Sequence, residues 1–175
     1  MVSLSDHIFN FLSQFWNNIL PFYVFNVYEF GVVLRFGKWR KNVSAGFHWK
    51  IPFVDEVLHC RNSMTTMPTK NQSLTTKDGE QISIESIVKY KIEDAKKFLL
   101  EVEDAISAID DITQGKIKEL VNTKTWTEIR DLKDVEIKKL VTTEAEKFGI
   151  KIFYVTITSL VKTRVYKIIN NSNQT

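Results

Sequence analysis

From His7 to Tyr28 the chain carries no Asp, Glu, Lys or Arg. Nine of the 21 aromatic residues fall before Gly31: Phe9, Phe11, Phe15, Trp16, Phe22, Tyr23, Phe25, Tyr28 and Phe30. Such a stretch must be buried in protein or placed in lipid. Ser5 suits a helix N-cap, with Asp6 favourable in the first turn. Apolar residues then recur at Ile8, Phe9, Leu12, Phe15, Trp16, Ile19 and Leu20, which is helical spacing with one wide apolar face. Asn10, Ser13, Gln14, Asn17 and Asn18 take the opposite face, and Pro21 ends or kinks the helix.

A signal peptide would show a basic start and a small-residue cleavage site, and neither is present. A spanning helix needs about 20 mostly apolar residues, whereas here the amides and Pro21 interrupt the run. An in-plane or shallow re-entrant helix suits the uncharged, two-faced pattern, with Ile8, Phe9, Leu12, Phe15, Trp16, Ile19, Leu20 and Phe22 as membrane-contacting residues. The alternative is a core helix packed on the rest of the domain.

The following stretch has the opposite character. No acid occurs between Glu29 and Asp55, while Arg35, Lys38, Arg40, Lys41 and Lys50 are interleaved with Trp39, Phe47 and Trp49. Arg35, Lys38, Trp39, Arg40, Lys41 and Lys50 form a candidate patch for anionic headgroups. The same chemistry suits single-stranded nucleic acid, so a soluble nucleic-acid module is the competing reading. A solvated loop with buried tryptophans is the third. Seven acids fall between Glu93 and Asp111, and an acidic patch opposite a basic one could guide head-to-tail association.

Val27–Phe36 reads as a strand, Glu56–Met67 as another extended segment closed by Pro68, and Asp78-Gly79 as a hairpin turn. Ile82, Ile84, Val88, Tyr90 and Ile92 alternate on one face of a strand, with Ser86 and Ile87 blurring the pattern. Asp94 can cap a helix reaching Leu100. A second helix from Asp104 would turn Ile106, Ile109, Ile112, Leu120 and Val121 inward, with Gly115 weakening its middle. Thr125 and Glu128 form a capping-box pattern. A last helix from about Asp131 would bury Ile137, Leu140, Val141, Ala145 and Phe148, with Gly149 at its C′ position. Ile150–Ile157 is β-branched and reads as a returning strand; the residues after it end in a polar tail.

No nucleotide or phosphate loop and no nucleophile elbow is present. His7, His48 and His59 sit in no metal-ligand spacing. Cys60 cannot form an internal disulfide, and Cys60 with His48 or His59 as a nucleophilic pair rests on sequence adjacency alone. Asp110 and Asp111 point to different sides of a helix. The residues therefore predict a non-enzyme with no cofactor, no metal and no small-molecule substrate.

Four segments resemble one known family. Tyr28-Glu29-Phe30-Gly31-Val32-Val33-Leu34-Arg35-Phe36-Gly37-Lys38 is similar to the opening strand of the SPFH or band-7 superfamily, the group of stomatins, prohibitins, flotillins and the HflK/HflC pair. Ala45-Gly46-Phe47-His48-Trp49-Lys50-Ile51-Pro52-Phe53-Val54-Asp55 resembles its Pro-Gly-Leu-His-hydrophobic-Lys-Ile-Pro-Phe segment, with Ala45 in place of proline. Thr76-Lys77-Asp78-Gly79 and Val88-Lys89-Tyr90-Lys91-Ile92-Glu93-Asp94 are similar to its central hairpin. Ala145 through Gly149-Ile150 to Thr158-Ser159-Leu160 is similar to its closing helix and strand.

The resemblance implies an α+β fold, an antiparallel sheet packed with helices, preceded by an N-terminal amphipathic membrane helix. It divides the chain into a membrane segment (1–25), an SPFH domain (26–161) and a short tail (162–175). It further implies a non-catalytic membrane scaffold whose partners are membrane lipid, copies of itself or other SPFH proteins, and a membrane AAA protease. The inner or cytoplasmic membrane is the implied location for a bacterial or phage-encoded chain. The long Ala/Glu-rich coiled coil that follows in the family does not follow Leu160. That leaves a smaller assembly, none, or one completed by a full-length partner, and fits a minimal mimic or modulator of a host complex.

Overall fold

The computed structural model describes residues 20–163. The expected N-terminal helix and its contact residues Ile8, Phe9, Leu12, Phe15, Trp16 and Ile19 lie outside the described residues, as does most of the tail. Backbone contacts divide the described chain into two compact units. The first comprises the described chain up to Met64, Lys91–Ala105 and Glu146–Lys151; the second comprises Thr65–Tyr90, Ile106–Ala145 and the described chain from Ile152.

The first unit is built on strands β1 (Phe22–Phe25), β2 (Glu29–Arg35), β3 (Lys38–Val43), β4 (Gly46–Trp49) and β5 (Asp55–Arg61). β1 pairs antiparallel with β4, and β2 lies between β3 and β5. The basic stretch is thus not a loop: two strands run through it. The unbroken apolar run Val32-Val33-Leu34 is buried because β2 is central. Val33 packs with Phe25 and Val43, against half-buried Tyr23 and Val57. Val32 and Leu34 point to the other face, and helix α1 (Ala95–Leu100) packs against β2 and β5.

Gly31 is required by sheet packing. A Cβ there would lie 2.0 Å from the Leu58 carbonyl oxygen. Asp94 caps α1 by accepting from the Lys96 and Lys97 N–H groups. The Gly149 carbonyl accepts from the Glu93 and Asp94 N–H groups at 2.9 and 3.0 Å. Its left-handed φ of 72° and a Cβ position 2.6 Å from the Asp94 carbonyl oxygen leave no room for a side chain.

The second unit centres on β8 (Gln81–Ile92). β6 (Thr65–Pro68) and β7 (Gln72–Thr75) pair antiparallel with its later and earlier halves, and β9 (Ile150–Lys162) pairs with β8 as well. The expected extended run from Glu56 to Met67 is two strands, β5 and β6, interrupted after Arg61. Every even position from Ile82 to Ile92 is buried, Ser86 included. The serine that blurred the alternation keeps its place because Thr69 satisfies it: the hydroxyls are 2.8 Å apart, and the Thr69 hydroxyl accepts the Ser86 N–H at 3.2 Å.

Three further helices follow: α2 (Ala105–Thr123), α3 (Trp126–Arg130) and α4 (Asp134–Ala145). Gly115 does not break α2, because it lies on the exposed side of a stripe formed by Ile109, Thr113, Ile117 and Val121. Ile106, Ile112 and Leu120 are only half-buried. The capping box at Thr125 and Glu128 forms, and Asp78 adds a contact to the Trp126 N–H. α4 begins at Asp134 rather than Asp131 and buries Ile137, Val141 and Ala145. Leu140, expected inward, is 36% exposed, at the margin of that stripe. α4 closes in a 3-10 turn, Glu146–Phe148.

Candidate membrane interface

Register decides which side chains of the β1–β4 pair reach solvent. Phe22 stands opposite Trp49 and Val24 opposite Phe47, and opposed residues share a face. Tyr23, Phe25 and His48 take the other face, where Phe25 joins the core. The outer face is therefore four large apolar side chains with no cover among the described residues. Phe22 is 40% exposed, Val24 62%, Phe47 53% and Trp49 67%. The rings order one another: Phe22 stacks on Phe47 at 5.5 Å, and Trp49 meets Phe47 edge-on at 5.4 Å.

Two further phenylalanines project from turns of the same unit. Phe36, at the β2–β3 turn, is 78% exposed with φ 50°; Phe53, in the β4–β5 loop, is 77% exposed with φ 63°. A left-handed backbone costs a non-glycine residue about 1–2 kcal/mol. Neither ring repays that cost by burial. Strain of this kind is kept where the surroundings over-determine it, commonly at functional positions. The Phe36 N–H donates to the Val54 carbonyl at 3.1 Å, holding the turn and the loop together. Phe36, Gly37, Lys50, Phe53, Val54, Asp55 and Glu56 line one cleft there.

Asp55 ties this region. Its carboxylate accepts from Arg35 Nε at 2.7 Å and Nη2 at 3.0 Å, and from the Ile51 N–H at 2.9 Å. Arg40 approaches to 3.7 Å. The Arg35 hydrogen bond, helped by the Ile51 amide and outweighing burial, lowers the Asp55 pKa from 3.8 to about 2.

The expected basic patch is placed as follows. Lys38, Arg40 and Lys41 are exposed on β3. Trp39 lies on the same strand, donates to Asn42 Oδ1 at 3.1 Å and sits 4.5 Å beneath the Lys96 ammonium. Arg35 is turned to Asp55. Lys50 is half-buried, and its N–H donates to the Pro21 carbonyl at 2.8 Å. Of the expected membrane contacts, Leu20 is half-buried and Phe22 is on the exposed face. Sequence reading did not include Val24, Phe36, Phe47, Trp49 and Phe53 among its site residues. The signal was available: Phe22-Tyr23-Val24-Phe25 and Phe47-His48-Trp49 each have the two-residue period of a two-faced strand.

The enzymatic alternative loses its nucleophile. Cys60 is buried on β5, and burial pushes its thiol up to about 11, so the thiolate is scarce at neutral pH. His48 Nε2 contacts the Ser44 carbonyl at 2.7 Å and the imidazole stacks on Tyr23. No cluster that could hold a metal occurs among the described residues. The acidic stretch is also partly spent: Glu93 pairs with Lys151, Asp94 caps α1, and Asp110 is buried 3.8 Å from Lys70. Among the described residues no helix is long and apolar enough to cross a membrane.

Residues 23–174 match the family model described as SPFH domain / Band 7 family. The chain is similar to protein HflK of Haemophilus influenzae, 29% identical over 108 residues that cover 62% of this chain and 26% of that protein. It is similar to the modulator of FtsH protease HflK of Escherichia coli K12, 27% identical over 108 residues, with the same coverage. An uncharacterised protein of Methanocaldococcus jannaschii is 26% identical over 134 residues, 74% of this chain and 66% of that protein. The chain thus spans about a quarter of the length of the HflK relatives.

Proposed function

The chain belongs to the SPFH / Band 7 family, and from that premise we propose that it is a non-catalytic scaffold seated on a membrane surface, where it regulates a membrane protein complex. The observation that carries this reading is the exposed face of Phe22, Val24, Phe47 and Trp49, in a unit that also exposes Phe36 and Phe53. Exposed aromatic side chains in a unit that also exposes Lys38, Arg40 and Lys41 suit the boundary between acyl chains and anionic headgroups. Each large ring withdrawn from water contributes about 1.5–3 kcal/mol, and each nearby cation adds about 1 kcal/mol on an anionic surface. The charge-free segment that ends at Pro21 leads directly into β1 and gives the face a neighbouring anchor. Nucleic acid is less well served, because Arg35 is bound to Asp55.

The partner class follows from the relatives: a protease of the FtsH kind, reached as part of an assembly with copies of this chain or with other SPFH proteins. In a bacterial or phage setting the site of action is the cytoplasmic membrane. Flotation of the full chain with vesicles of mixed zwitterionic and anionic lipid tests the reading. Phe47→Asp/Trp49→Asp should lower the bound fraction at least tenfold with unchanged circular dichroism. Undiminished binding by the double variant would remove the face from the membrane.

A further inference from the structure

The two edges of the sheet around β8 are treated differently. One edge is formed by β6 and β7, four residues each, separated by a break that begins after Pro68. Short strands and a proline are the usual protection against pairing with another chain. The other edge is β9, thirteen residues long, and among the described residues β8 is its only strand partner. From Ile152 to Val161 it contains no charge, proline or glycine. It is composed of residues that favour extended structure. The lysines at its ends do not guard it either. Lys151 is 2.8 Å from Glu93 and Lys162 is 2.8 Å from Glu80.

Hydrogen bonds fix which backbone groups face outward. The Thr163 N–H donates to the Gln81 carbonyl, while Glu93 and Asp94 donate to Gly149, so β9 runs antiparallel to β8. Counting back from Thr163 at the two-residue period, Ile157, Ser159 and Val161 turn their backbone groups to β8. Thr156, Thr158 and Leu160 turn theirs away. The ligand chemistry this edge demands is therefore an extended chain, and an uncharged one.

We propose that β9 pairs antiparallel with β9 of a second copy about a two-fold axis, extending the sheet across a dimer. A register centred on Ile157 pairs the stretch on the C-terminal side of the change of phase between Ile152 and Val155 with itself. It sets Thr156 opposite Thr158 and Val155 opposite Ser159, and faces no lysine with a lysine. Neutral cross-strand pairs of this kind stabilise a ladder. Attachment of both copies to one membrane raises their local concentration, which suits a short interface. This gives the assembly in the proposed function a surface, but it stands on the edge geometry and not on lipid docking.

In that register Ile157 lies opposite its own copy in a non-hydrogen-bonded position, where Cα atoms are about 4.5 Å apart, within disulfide range. The test uses the full chain in detergent micelles and on vesicles. In a Cys60→Ala background, Ile157→Cys should give a disulfide-linked dimer under mild oxidation, and Tyr154→Cys should not. Thr158→Lys or Thr158→Pro, which alter an outward position and leave the β8 ladder intact, should abolish the cross-link and halve the mass measured by mass photometry. Vesicle flotation of these variants should be unchanged, separating this proposal from the docking face. Absence of cross-linking at 156, 157 and 158 alike would overturn it. So would a monomer whose β9 amides are protected from exchange only while residues 164–175 are present, since the chain's own end would then cover the edge.

Discussion

Replacing Asp55 by Asn keeps the side chain's shape and removes the charge to which Arg35 and the Ile51 amide are bound. The lowering from 3.8 to about 2, at about 1.4 kcal/mol per tenfold change in proton affinity, corresponds to about 2.5 kcal/mol favouring the folded state above pH 4. Arg35 is a third exposed, so water compensates part of its loss, and about 1–2.5 kcal/mol is the expected cost. The sign follows from the direction of the shift. A depressed folded-state pKa contributes fully above the unfolded value and is lost as pH falls through the folded one. Urea unfolding of the full chain in detergent, followed by tryptophan emission, should show the variant less stable by that amount at pH 7. The gap should close between about pH 4 and pH 2, where the native aspartate also takes up a proton. A gap that stays constant down to pH 2, or one below about 0.5 kcal/mol at pH 7, would refute the role given to this carboxylate.

Phe36→Gly/Phe53→Gly should relieve two left-handed backbones and raise stability by about 1 kcal/mol per site, less glycine's extra unfolded-state entropy, while vesicle binding falls. A variant that is destabilised and binds normally would show that the rings serve folding. Gly31→Ala would bring a Cβ to 2.0 Å from the Leu58 oxygen, so β2 and β5 must separate; a loss of at least about 3 kcal/mol is expected by urea titration, and a loss under 1 kcal/mol would show that the sheet can yield.

Much of the fold is legible locally. Asp94, Thr125 and Gly149 announce helix ends because capping is satisfied within a few residues, and the structure uses all three. The alternation from Ile82 to Ile92 gives β8 directly. What escaped the sequence depends on partners distant in the chain. Ser86 is ambiguous until Thr69, seventeen residues away, supplies its hydrogen bonds. Lys38–Val43 is five exposed residues and one buried one, with no periodicity to mark a strand, and becomes one by pairing with β2. The site was half legible. Its aromatic and basic content is visible, but the register that puts Phe22, Val24, Phe47 and Trp49 on one side is a property of the β1–β4 pair.

The bond from the Lys50 N–H to the Pro21 carbonyl has a mechanical meaning. It fastens the residue before β1 to the residue after Trp49, so the entry to β1 and the exit from β4 are held to each other. On the proposed membrane reading, Phe22 and Trp49 would be set at their depth together, like a gauge set at one end. Inserting a few glycines before Pro21 would leave this bond, and with it the joint setting of Phe22 and Trp49, in place.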